Sequence, residues 1–262
     1  MTAILERIIP EFELFLLVFI RISSLFLIVP VFGVRSVPVV FRIGLALFLA
    51  YIVMGFQSLP INVRMDTYLH IAYHAFTELL IGFVLGFIAI IAFSAISMAG
   101  QLIDTHLGFG LVHIFDPQSG MQVSLMGKFK STLAIIIFFT IDGHHTLIDI
   151  LVESFDIIPV GNIRLEPAIA LGIVELFVNY FVLALVIAIP IIAASIIVEM
   201  VFGIIVRTVP QMNIFVLGIP IKIVIGLIAL YLLIPVYVNL MGGMFGDMLE
   251  SMQNFIMKMA IQ

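Results

Sequence analysis

The chain has 262 residues, of which 63% are hydrophobic and only 10% charged, with a formal net charge of −5 and no cysteine. Soluble domains are about half apolar and about a quarter charged. A water-facing surface is therefore excluded and a polytopic membrane protein is expected. Without cysteine there are no disulfides, no thiolate chemistry and no cysteine-ligated metal, and the scattered Lys and Arg exclude nucleic acid as a partner.

From the N-terminus, Glu6, Glu11 and Glu13 stand where a cleaved signal would carry a basic patch, and Arg21 interrupts the apolar run that follows. That run, residues 12–29, is expected to stay in the mature protein as the first of about six hydrophobic helices. The second covers residues 43–56, extendable to 38–59. The third, residues 79–99, matches the ~20 residues that a bilayer core requires. A fourth centres on residues 133–141, with Lys128 and Lys130 in its flank. The fifth covers residues 176–198, with a kink expected at Pro190, and the sixth residues 223–238. Each is expected to be helical, because an isolated strand leaves its backbone groups unsatisfied in lipid.

Residues 244–262 read differently. Met244, Met248, Leu249, Met252, Phe255, Ile256 and Met259 recur at helical spacing, with Asp247, Glu250 and Lys258 off the stripe. This predicts an amphipathic helix lying on a partner or at the lipid interface. With no internal repeat or linker, a single membrane domain over residues 1–262 is the simplest account. Odd-numbered loops carry Arg35, Arg42, Lys128, Lys130, Arg207 and Lys222, against Arg7, Arg64, Arg164 and Lys258 elsewhere. That bias leans toward odd loops in the cytoplasm.

Polar groups inside apolar helices are costly and normally face protein or a cavity. Arg21, Glu78, Glu175, Asn179 and Glu199 are of this kind. They read either as an ion or substrate path or as groups that bond to one another or to partner subunits; as lone charges without a relay spacing, they favour the second. His70, His74 and Glu78 share one helical face and form the best metal candidate, although no further ligand is identifiable. With Tyr68 and Tyr73, the His pair suits an interfacial band equally well, and no metal or other cofactor is expected. His144 and His145, adjacent in "IDGHHTLID", look like a helix end with a turn at Gly143. No nucleophile with a base, zinc-protease motif or phosphate-binding loop is present, so catalysis is not expected. Gly82 and Gly86 make a small-xxx-small face for close helix packing, and the spacing recurs at Gly242 and Gly246.

The polar stretch "GFGLVHIFDPQSG", residues 108–120, interrupts this oily chain. Gly108 and Gly110 permit positive φ, Phe109 and Phe115 are bulky hydrophobes, and Pro117 biases Asp116 away from helix. Such a loop either folds back into a channel and closes it with aromatic rings, or is an ordinary connection with glycine turns. The residues alone leave both readings open.

The run "GQLIDTHLGFGLVHIFDPQSG", residues 100–120, resembles the FliR family of flagellar export-gate proteins. Four more stretches match in family order: "PVFGVRSVP", "DGHH", "SFDIIPVG" and "RTVPQMNIFVLGIPIK". The resemblance implies an all-α integral membrane protein of helical hairpins, with a re-entrant plug loop at residues 107–123. It implies a subunit of the flagellar type III protein export gate, in the bacterial inner membrane at the flagellar basal body. FliP and FliQ homologues would be its partners in a helical assembly, with an FlhB-type component nearby and unfolded flagellar proteins as cargo. Gly108, Phe109, Gly110, Phe115, Asp116 and Pro117 would then belong to the pore plug. The virulence-type secretion subunit is the alternative, and a small-solute secondary transporter a more distant one. The family's usual I-G-x-x-M-G reads "IDTHLG" here, which adds Asp104 and His106 and puts Leu107 in place of methionine at the plug's upstream edge.

Overall fold

Long apolar runs leave the backbone no water to bond with, so each segment satisfies its own N–H and C=O groups as a helix. Among the described residues all regular structure is helical. The computed structural model describes residues 2–33, 37–56, 67–109, 124–163, 166–211 and 214–260; for residues 2–10, 56, 214 and 215 the description is of the backbone. In chain order the helices are α1 (Thr2–Ile28), the single turn α2 (Pro30–Gly33), α3 (Val39–Phe56), α4 (Tyr68–Leu107), α5 (Leu125–Thr140), α6 (Gly143–Ile157), α7 (Pro167–Thr208) and α8 (Ile214–Met259).

Three of these are long and apolar enough to cross a bilayer: α4, α7 and the Val216–Met259 part of α8. The pair α5 and α6, broken at Ile141 and Asp142, would make a fourth span if it crosses as one. The all-helical membrane class holds, but the segments are arranged differently from the six expected. The third and fifth grow to 40 and 42 residues. The sixth segment and the amphipathic tail are one unbroken helix of 46 residues, not two. Propagation adds one hydrogen bond for each residue fixed, so Gly242 and Gly243 are carried through instead of ending it. The tail stripe from Met244 to Met259 is buried within this chain, while Asp247, Glu250 and Lys258 are exposed. α6 lies outside all six expected segments, because Asp149, Glu153 and Asp156 hide its apolar face from a hydropathy window.

The chain divides into two units. The first comprises Met1–Ile91, Asp142–Leu176 and Gly246–Gln262. There α1 packs on α3 and α2, and α4 crosses α1 at Gly82 and Gly86. A Cβ on Gly82 would stand 1.9 Å from Ser24 Oγ and 2.3 Å from the Arg21 carbonyl oxygen; one on Gly86 would stand 2.9 Å from Ile28 Cβ. Gly242 and Gly246 have open space at the same position, so the same spacing produces no close approach there within the chain.

The second unit comprises Ala92–Ile141 and Phe177–Phe245. Its core holds a cluster of Phe93, Phe138 and Phe245 with ring centroids 4.9–5.6 Å apart, in the range favoured for edge-to-face aromatics. Ala184, Ile187, Ala188 and Ile191 of α7 are fully buried in the same unit.

Candidate functional site

Two constellations of polar groups are built into the apolar framework. One lies at the root of the 107–123 stretch, within the second unit. α4 ends there because Gly108 takes a φ of 86°, the left-handed conformation that glycine adopts without a Cβ penalty, and its N–H donates to the Asp104 carbonyl at 3.2 Å. Ser195 of α7 donates its hydroxyl to the His106 carbonyl at 2.9 Å, satisfying one of the acceptors a helix end leaves open. Leu107 is buried against α8, where a Cβ on Gly226 would stand 2.3 Å from Leu107 Cδ2.

On the far side of the stretch, Ser124 is the N-cap of α5, accepting the Gly127 N–H at 2.8 Å. The Ser124 hydroxyl donates to Asp104 Oδ2 at 2.5 Å, and the Met126 N–H donates to the Asp104 carboxylate at 3.1 Å. A buried Asp104 thus holds the first turn of α5, where a negative charge is favoured by the helix dipole. Four residues earlier, Gly100 meets Gly127 backbone to backbone: a Cβ on Gly100 would stand 2.4 Å from Gly127 Cα. Of the expected plug residues, Gly108 and Phe109 are half-buried at this root, and Gly110, Phe115, Asp116 and Pro117 lie outside the described residues.

The second constellation, in the first unit, surrounds Arg21, which is fully buried. Its Nε donates to Glu78 Oε2 at 2.6 Å, and Nη1 to the Ser154 carbonyl at 2.9 Å and hydroxyl at 3.2 Å. Nη2 donates to the Ile158 carbonyl at 3.0 Å, and the guanidinium lies 4.2 Å from the centroid of the Phe155 ring. Glu78 Oε1 accepts the N–H of Gly161 at 2.9 Å. One arginine and one carboxylate thereby join α1, α4 and the end of α6, and the guanidinium sits at a helix C-terminus, where positive charge is favoured.

The remaining polar candidates fall elsewhere. Glu175 and Asn179 are exposed on α7, and Glu199 pairs with Lys222. His70 is exposed and His74 half-buried, while both Glu78 oxygens are engaged by Arg21 and Gly161, so the three do not form a chelate. Among the described residues, Asp142, His144 and His145 bring their donor atoms within 4.8 Å of one another. Asp142 there has a φ of 56° and places its carboxylate 3.3 Å from His145 Nδ1. They occupy the first turn of α6, the positive end of its dipole, which works against a bound cation. Lys130 is fully buried, its Nζ 3.4 Å from the Tyr237 ring centroid and without a hydrogen-bond partner among the described residues. The Tyr237 hydroxyl donates to the Ile187 carbonyl at 2.9 Å.

Spacing alone does not reveal these contacts. Asp104 stands out in the sequence only as a departure from the family wording, and Ser124 and Gly127 carry no signal beyond a serine before an apolar run. The stretch "SFDIIPVG" matches the family in wording; the structure makes it the cradle for Arg21 and Glu78.

Comparison with known proteins agrees with the resemblance. The family described as bacterial export proteins, family 1, matches residues 12–248. The flagellar biosynthetic protein FliR of Bacillus subtilis is 36% identical over 96% of this chain and 98% of its own length. FliR of Aquifex aeolicus is 34% identical over 92% of this chain and 93% of its own. The secretion system apparatus protein SsaT of Salmonella typhimurium is 30% identical over 60% of this chain and 61% of its own.

Proposed function

The chain belongs to the bacterial export proteins, family 1, as a FliR-type member, and from that premise we propose how it works. It is a multi-pass membrane subunit of the type III protein export gate used in flagellar biosynthesis. In our reading it sits in the bacterial inner membrane at the flagellar basal body. It assembles there with FliP and FliQ homologues, next to an FlhB-type component and lipid, around a pore for unfolded flagellar proteins. Its part is positional and electrostatic, with no catalytic step. Residues 107–123 serve as the plug of the idle pore, carried by Phe109 and Phe115 on a frame that includes Gly108, Gly110, Asp116 and Pro117.

The observation that favours the plug is the firmness of its roots. Both flanks, Asp104–Gly108 and Ser124–Gly127, are held by buried or part-buried hydrogen bonds and close helix contacts in the same unit. A stopper that swings needs fixed ends and a bendable middle. The glycines keep such displacement inexpensive, and aromatic rings supply a large apolar seal with few rotatable bonds. The wording and coverage of the FliR relatives favour the flagellar branch over the virulence one. A small-solute transporter draws less support, since Glu78 is committed to Arg21 and both Glu175 and Glu199 are exposed.

Deleting residues 107–123 in the otherwise intact gate is expected to let ions leak, read with a membrane-potential dye in cells. Unchanged permeability at normal complex abundance would overturn the plug. Gly108→Val, which forces a β-branched residue to a φ of 86°, is expected to reduce export of flagellar proteins into the medium.

A further inference from the structure

We propose that Lys130 is a built-in destabiliser of the resting packing of α5: an unpartnered cation, buried in the second unit, that primes α5 and α8 to part during export. The inference rests on the export-gate reading above and adds a conformational device to it, independent of the plug.

The buried stripe of α5 is Met126, Gly127, Lys130, Ala134, Ile137 and Phe138. Spacings of three and four place these residues on one helical face, and every one except Lys130 suits an apolar core. The Lys130 side chain is fully buried, whereas Lys128, two residues earlier, is exposed. Its Nζ lies 3.4 Å from the centroid of the Tyr237 ring on α8, and among the described residues no atom accepts a hydrogen bond from it. The Tyr237 hydroxyl is engaged elsewhere, donating to the Ile187 carbonyl of α7 at 2.9 Å. The ammonium thus meets α8 through an aromatic face, with its N–H donors unused.

An ammonium taken out of water without a hydrogen-bond partner is far costlier to bury than an alkyl chain. Attraction to the ring face offsets only part of that cost. Exchanging buried charge for apolar side chains of like volume is often stabilising. The surroundings of Lys130 are firm. Gly100 meets the Gly127 backbone one turn before it, and Phe138 packs with Phe93 and Phe245 two turns after it. A flexible apolar side chain such as methionine fills such a space without the polar penalty. The resting unit is therefore less stable than its shape allows. A displacement of α5 from α8 that brings Nζ to water or to an acceptor recovers the lost solvation. The cation so narrows the free-energy gap between the packed arrangement and a parted one, and a smaller push from cargo or partner subunits then shifts the population.

The test compares thermal unfolding of the full chain in detergent with export of flagellar proteins by cells, at complex abundance followed by co-purification. Lys130→Met is expected to raise the unfolding midpoint by about 2 °C or more and to lower export several-fold at normal abundance. Tyr237→Leu, which takes the ring away from the ammonium, is expected to lower the midpoint more in the wild-type background than beside Lys130→Met. Equal losses in the two backgrounds overturn the ring–ammonium contact on which the proposal stands. An unchanged or lower midpoint for Lys130→Met, or failure of both Lys130→Met and Lys130→Leu to fold, shows that the ammonium supports the packing and overturns the proposal. A raised midpoint with unchanged export overturns it too, since the destabilisation is then unused. Normal export by cells lacking the chain altogether sinks the export-gate reading itself.

Discussion

Arg21 is the residue that composition alone makes hardest to place, since a charge at bilayer depth is costly by any scale. The structure surrounds it with a carboxylate, two carbonyls, a hydroxyl and an aromatic face. Breaking a buried pair by removing one partner costs about 3–5 kcal/mol, mostly from the charge left behind. Glu78→Gln is therefore expected to lower the unfolding stability of the detergent-purified chain by roughly that amount. The double variant Arg21→Met, Glu78→Met should recover part of the loss. Recovery stays incomplete because the Ile158 carbonyl and the Gly161 N–H lose the partners that Arg21 and Glu78 supply. Thermal unfolding of the single and double variants checks this, and strictly additive losses would contradict a charge pair acting as a unit.

At the scale of helices, glycines of equal appearance do different work. Gly82, Gly86, Gly100 and Gly226 lie where a Cβ would meet a neighbour at under 3.0 Å, while Gly203 and Gly242 face open space within the chain. Overpacking costs about 1–3 kcal/mol or more when the obstacle cannot move, and at Gly100 the obstacle is the backbone of Gly127. Gly100→Ala is expected to push α4 and α5 apart and sharply reduce the folded yield of the chain. Gly203→Ala should be neutral or stabilise by up to about 1 kcal/mol through helix propensity. Thermal unfolding of the two variants, purified alone in detergent, separates them. Equal behaviour would mean that the close crossing does not limit stability. The long helices follow the same logic of context: α8 continues through Pro220 and Pro235, since tertiary packing and local adjustment re-satisfy the freed backbone groups.

For the molecule as a whole, burial is uneven. The most apolar window of α4 is 67% buried, against 33% for α7 and 17% for α8. Val216, Val224, Ile228, Tyr231 and Leu232 leave an extended apolar surface along α8, of the kind that marks lipid or partner contact. A gate subunit that completes its pore only with other subunits has to carry such surfaces. The chain reconstituted alone in vesicles is accordingly expected to pass neither protons nor small solutes, and to co-purify with FliP and FliQ homologues when they are expressed together. Flux through the lone chain, measured with a pH-sensitive dye, would favour the transporter reading instead.

The amino-acid sequence by itself determined the membrane class, the helical content and the family. Each depends on local quantities: apolar run length, the need of every backbone group for a partner in lipid, and motif wording kept in order. The chain also shows that Arg21, Glu78 and residues 108–120 are out of place in an oily environment. Their partners are another matter. Arg21 finds Glu78 across 57 positions and Ser154 across 133, and Ser124 finds Asp104 across 20. No periodicity of a single helix encodes such separations, because a side chain's spacing sets the face it occupies and not what packs against that face. Only the tertiary structure decided which glycines touch, that the last apolar segment and the amphipathic tail form one helix, and that Asp104 of α4 holds the first turn of α5. These outcomes depend on how closely whole helices approach, a property of the packed chain and not of any stretch within it.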